Sequence, residues 1–210
     1  MKPLLTFYGD DFTGSTAVME VLSFAGVSTM LFLEPPELDV LKEYPTLQAI
    51  GVAGIARSKD PAWMKSNLPS VFKRLKKFGA PVSHYKVCST FDSSPEIGSI
   101  GVATEIGDAI FSTDWVPLVV GAPDIQRYQA FGTLFAKSGA SIHRLDRHPV
   151  MSRHPVTPMN EADLRRHLTC QTNLKVGIIT LAEIKAGQSS EAISKCLSDG
   201  ARILAIDVVD

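Results

Sequence analysis

Short apolar runs rich in β-branched residues alternate along this chain with stretches of helical period. No other feature constrains the fold as much, because the alternation marks repeated β-α units around a parallel sheet. Leu4 to Tyr8 is the first strand candidate, and Ala17, Val18, Val21, Leu22 and Ala25 then fall on one helical face, capped by Gly26. Runs at 28–33, 47–53, 82–88, 116–120, 176–180 and 202–209 read as further strands. Asp60-Pro61 opens a helix marked by Trp63, Met64, Val71, Phe72, Leu75 and Phe78, in which Pro69 is expected to force a kink or a split. Asn160, with Asp163 three residues on, predicts a helix through Cys170. The pattern fails between Gly121 and Pro158, where prolines, glycines, arginines and histidines break up short apolar pieces. The expected fold is α/β: a three-layer α/β/α arrangement with a mostly parallel, Rossmann-like sheet and one long irregular insertion around 121–158.

A chain of 210 residues that is 45% hydrophobic and 20% charged has material for one such domain, spanning 1–210. No helix follows Asp207 to cover the last strand, so the sequence is expected to be part of a longer protein. Twenty-one basic against 22 acidic residues leave a net charge of −1, which supplies no global field for nucleic acid or an anionic membrane. Cys88, Cys170 and Cys196 form no C-x-x-C pair, and the N-terminus reaches Asp10 and Asp11 before any signal-like apolar stretch. A reducing, cytoplasmic setting is expected, without a membrane span.

In a parallel α/β sheet, ligands bind beyond the carboxyl ends of the strands, because helices cover both faces. The loops expected there carry Gly9-Asp10-Asp11-Phe12-Thr13-Gly14, Arg57-Ser58, Cys88-Ser89-Thr90 and Gly121-Ala122-Pro123-Asp124. Either aspartate at positions 10 and 11 could cap the following helix, but two like charges side by side call for a cation, a proton or a hydrogen-bonded ligand between them. Arg57 offers a planar fork suited to a carboxylate or phosphate, or is a solvated arginine. Lys86 needs a partner if it faces inward. The hydroxyl-rich run from Ser89 to Glu96 suits a polyol and is equally ordinary turn chemistry.

Residues 143–167 gather four of the five histidines and five of the nine arginines against three acids. This patch could draw a small anion, whereas the spacing of His143, His148 and His154 matches no common zinc pattern. The sequence contains neither G-x-x-x-x-G-K-[ST] nor G-x-G-x-x-G after its first strand, so the usual marks of a nucleotide site are missing.

Three motifs in order, Gly9-Asp10-Asp11-Phe12-Thr13-Gly14, Tyr85-Lys86-Val87-Cys88-Ser89-Thr90-Phe91-Asp92-Ser93 and His154-Pro155-Val156-Thr157-Pro158-Met159, with Gln171-Thr172 after them, resemble the N-terminal domain of the four-carbon acid sugar kinase family. The resemblance spans nearly the whole chain. It implies an ATP-dependent kinase for threonate, erythronate or 3-oxo-tetronate type acids, with ATP and Mg held mainly by a C-terminal domain. It places Asp10, Asp11, Thr13, Arg57, Ser58, Lys86, Ser89 and Thr90 at the sugar site, with Asp10 or Asp11 as catalytic base. His154, Thr157 and Pro158 either bind substrate or brace the cleft. Many relatives carry an arginine-glycine-asparagine continuation where this chain reads Phe91-Asp92-Ser93-Ser94, which leaves the subgroup open. The partners implied are a small acid sugar and at most a second copy in a homodimer. A receiver domain would need an acceptor aspartate where Gly54-Ile55-Ala56-Arg57 stands, and a dehalogenase-type phosphatase an acid at Phe12. A non-catalytic acid-sugar binding module is the remaining alternative.

Overall fold

The structure, a computed structural model, describes residues 2–210. Its first sheet joins β1 (Leu5–Gly9), β2 (Thr29–Phe32), β3 (Ala49–Ala53) and β4 (Val82–Lys86) in the order β2-β3-β1-β4, all parallel. Every residue of β3 is buried, as expected of a strand covered on both faces. Tyr8, Ile50 and Val52 face α3 (Pro61–Lys77), whose Met64, Leu68, Phe72 and Leu75 complete a core shared with α4 (Ile100–Phe111). The opposite face carries Phe7, which covers Gly51 so closely that a methyl there would overlap its ring. On that face Gly9 lies against Ser15 of α1 (Phe12–Phe24). The remaining short helix of this half, α2 (Val40–Glu43), lies between β2 and β3.

The other strands do not extend this sheet. β5 (Val116–Leu118), β9 (Val176–Ile179) and β10 (Ile203–Ile206) form a separate parallel sheet in the order β5-β10-β9, associated with α5 (Leu164–Thr169), α6 (Leu181–Lys185) and α7 (Ser189–Ser198). The molecule is therefore α/β in two lobes.

Three sequence expectations need correction. The segment expected to be irregular folds into an antiparallel meander of β6 (Arg127–Ala130), β7 (Thr133–Ser138) and β8 (Ser141–Arg144), followed by two short 3-10 turns. Phe131 and Gly132 turn the first hairpin with φ of 51° and 76°, the left-handed pair that matches strand twist. Buried Asp207, just past β10, accepts from the amides of Phe131 at 2.6 Å, Gly132 at 2.9 Å and Leu181 at 2.9 Å, fastening the turn to the second sheet. Helix α3 is not split at Pro69 but runs from Pro61 to Lys77, and the carbonyl deprived of its partner belongs to an exposed residue, Lys65. Helix α5 starts at Leu164, with Asp163 and not Asn160 as its cap.

The lobes meet at a buried polar joint. Ser93 donates to the Phe91 carbonyl at 3.0 Å and accepts from Gln171 Nε2 at 2.9 Å, so His167 Nε2, at 2.9 Å, must be the second donor. This fixes the neutral His167 tautomer, and Phe91 itself is fully buried with φ 56°.

Candidate functional site

The first turn after β1 is built by its own backbone. Asp11 caps α1, accepting the Gly14 amide at 2.7 Å through Oδ1, and Ser15 donates to the Asp11 carbonyl at 2.6 Å. Asp10 is tied to both neighbouring strand ends: its amide donates to the Lys86 carbonyl at 3.0 Å, and its carbonyl accepts the Arg57 amide at 3.0 Å. Arg57 thereby enters the site from a 3-10 turn, Ala56–Ser58, just beyond β3.

One guanidinium holds both carboxylates. Arg57 donates from Nε and Nη2 to Asp10 at 3.2 and 2.5 Å, and from Nη1 to Asp11 Oδ2 at 2.6 Å. The two acids differ in access, since the Asp10 side chain is 1% exposed and that of Asp11 29%. Burial pushes the Asp10 carboxyl above the ordinary carboxylate range, while the Arg57 hydrogen bond and charge pull it down. Burial works against the Arg57 charge too, but the Asp10 hydrogen bond and charge more than offset it, and the guanidinium holds its proton more firmly than usual. The repulsion that two adjacent carboxylates would suffer is thus relieved by an internal cation.

These groups open into a cavity of about 350 Å³, within the range of small-molecule sites. Asp10, Asp11, Thr13, Arg57 and Ser58 line it from the first lobe, and His154 and Thr157 from the second. Thr157 is buried and donates its amide to His154 Nδ1 at 3.1 Å, which leaves Nε2 as the protonated nitrogen of the neutral ring. Phe12, Ile55 and Val156 add an apolar rim, exposed by 54%, 43% and 59%. Sequence reasoning missed these three; for Phe12 and Val156 the available signal was an apolar residue inside a polar motif.

Other expected members stand apart. Lys86 borders the site: a side chain at Gly14 would touch both it and Asp11. Its ammonium donates to the Val87 carbonyl. Thr90 turns inward, bonded to Cys88 Sγ at 2.9 Å and Asp92 at 2.5 Å, and Ser89, Thr90 and Pro158 do not line the cavity. Asp124 follows β5 in the other sheet. Of the basic stretch, Arg144, Arg165 and Arg166 pair with Asp146, Asp163 and Glu161, which spends much of the charge expected to draw an anion. Among the described residues no group of three or more His, Cys, Asp or Glu could hold a metal. No helix among them is long and apolar enough to cross a membrane. A larger groove of about 560 Å³ between α3 and α4 offers Lys73, Lys76 and Lys77 with Ala109 and Ile110, but no base.

Comparisons with known proteins point to the same region of chemistry. Residues 5–210 match the family model described as a sugar-binding N-terminal domain. A 3-oxo-isoapionate kinase of Paraburkholderia graminis is 48% identical over 207 residues, covering 99% of this chain and 44% of that protein. A 3-oxo-tetronate kinase of Cupriavidus necator is 29% identical over 210 residues, covering 99% and 47%. A crystal structure of a Haemophilus influenzae protein superposes with a TM-score of 0.84 at 28% identity, covering 98% of this chain and 48% of that one. The chain spans about half the length of the curated relatives it matches.

Proposed function

Since this chain belongs to the sugar-binding N-terminal domain family, we propose that it is the substrate-holding part of an ATP-dependent kinase for small acid sugars of the threonate, erythronate or 3-oxo-tetronate type. The observation that carries this reading is the cavity itself. It joins an accessible carboxylate, a guanidinium, three hydroxyl side chains and a histidine donor from both lobes. The names of the relatives, acids with a 3-oxo group, favour the same substrate class.

Phosphoryl transfer to an alcohol calls mainly for positioning, with a carboxylate to accept the hydroxyl proton. Asp11 takes that role, being the member of the pair that solvent and ligand can reach, with Oδ1 committed to the cap and Oδ2 to Arg57. Asp10 is a positioning residue that keeps Arg57 in place. The ligand's carboxylate lies against Arg57 beside the start of α1, where the Phe12 and Thr13 amides precede the first amide satisfied by the cap and the helix dipole favours an anion. His154 Nε2, Thr13 and Ser58 hydrogen-bond the polyol.

The sequence lacks a phosphate-cradling glycine loop for ATP. The nucleotide belongs to the further length that the relatives possess, and the cytoplasm is the compartment this reading implies.

Calorimetry with threonate, erythronate and 3-oxo acids, run beside a coupled ATP assay, tests the proposal. Heat without turnover by this chain is the expected result, together with a thermal stabilisation of about 2.7 kcal/mol at 100 times Kd. A flat response across the panel would remove the substrate class.

A further inference from the structure

Resting on the acid-sugar reading, we infer that the Asp11–Arg57 ion pair is an exchangeable latch: the carboxylate of the ligand replaces Asp11 on Arg57 Nη1, and the exchange frees Asp11 to accept a hydroxyl proton. The arrangement of tethers supports this. Arg57 is anchored through Nε and Nη2 by buried Asp10, and Asp11 is anchored through Oδ1 by the Gly14 amide. Each partner therefore keeps its position when the contact between them opens. That contact, Nη1 to Oδ2 at 2.6 Å, is also the solvent-reachable one, with side chains 21% and 29% exposed against 1% for Asp10.

The consequence is specificity for acids over neutral polyols of the same length. Opening the latch strips Arg57 Nη1 of an anionic partner in a partly desolvated site, and only an incoming anion replaces it in kind. A hydroxyl cannot do so, and Asp11 remains engaged. The carboxylate selects the ligand and in the same event makes the base available, so a neutral four-carbon polyol is rejected by the closed latch and not by lack of room.

Removing the charge of Asp11 should accordingly tighten acid binding, the opposite of what loss of an ordinary ligand contact does. Asp11→Asn keeps the cap, because its amide oxygen can accept from Gly14; the amide nitrogen then faces Arg57 Nη1 as donor against donor and leaves the guanidinium open. Asp11→Ser keeps a capping side chain by different chemistry and removes the charge entirely. Isothermal titration of the wild-type chain and both variants with threonate and with threitol, checked by thermal unfolding, reads the effect. Expected are threonate binding on the order of tenfold tighter in both variants, since one like charge near the incoming carboxylate is gone, and no threitol binding by wild type, whose latch a neutral polyol does not open. Wild type that binds threonate while both variants bind it equally or more weakly overturns the latch and leaves the acid-sugar reading standing. Threitol binding to wild type as tightly as threonate overturns the latch as well. If no acid binds wild type or variant, the acid-sugar reading fails and the latch with it.

Discussion

At the scale of single residues, Asp10 is the member of the site whose loss the fold should feel. It is 1% exposed and accepts two hydrogen bonds from Arg57, so Asp10→Asn leaves a half-buried guanidinium short of its counter-charge. Urea unfolding should report a loss of about 3 kcal/mol, in the range for breaking a buried pair by removing one partner. Asp10, Asp11 and Arg57 were legible in the sequence because polar residues directly after apolar strand runs have few places to go but the carboxyl edge of a sheet. Thr90 was not legible in the same way. Which side of its loop faces inward is set by the left-handed backbone of Phe91, and nothing in the residue type announces that conformation. The apolar rim escaped for the opposite reason, since an exposed phenylalanine or valine looks like a core residue until the neighbours are known.

At the scale of elements, the strands of the first sheet and helix α3 follow directly from periodicity; α1 forms where expected but leaves Ala17, Val21 and Ala25 of its apolar face exposed, and the meander was not expected at all. Its strands are short and mostly polar, as in Arg127–Ala130 and Ser141–Arg144, and its first turn uses Phe131-Gly132 in place of the asparagine-glycine pair that usually signals a hairpin. Asp207, far away in sequence, supplies what that turn lacks. Asp207→Ala strands three amides and should cost about 2 kcal/mol or more in chemical denaturation. The joint between loop and α5 should show itself in pH dependence. Burial lowers the His167 imidazole from its ordinary 6.5, outweighing the Ser93 hydrogen bond and the Glu161 charge. Its contribution is complete above the unfolded value and is lost as pH falls through the lower folded one. His167→Gln keeps a donor for Ser93 without titrating there, so its melting temperature should fall less than wild type's between about pH 7 and about pH 5.

At the scale of the whole molecule, the two parallel sheets and the meander are arranged so that the cavity borrows a wall from each lobe. A ligand that bridges the walls should slow amide exchange at 10–13, 55–58 and 154–157 together, while amides beside the lysine groove at 73–77 keep their rates; mass spectrometry of the exchanged chain with and without threonate measures this. Slowing confined to one lobe would mean that the ligand sits elsewhere. The order in which those walls are synthesised also matters. While the polypeptide is still emerging from a ribosome, Asp10 and Arg57 are present before His154 and Thr157, so the two-walled cavity is incomplete during the early stages of translation. Ligand stabilisation can reach the first lobe through both walls only after His154 and Thr157 have been made, so a metabolite acts on the maturing protein after that point and not before.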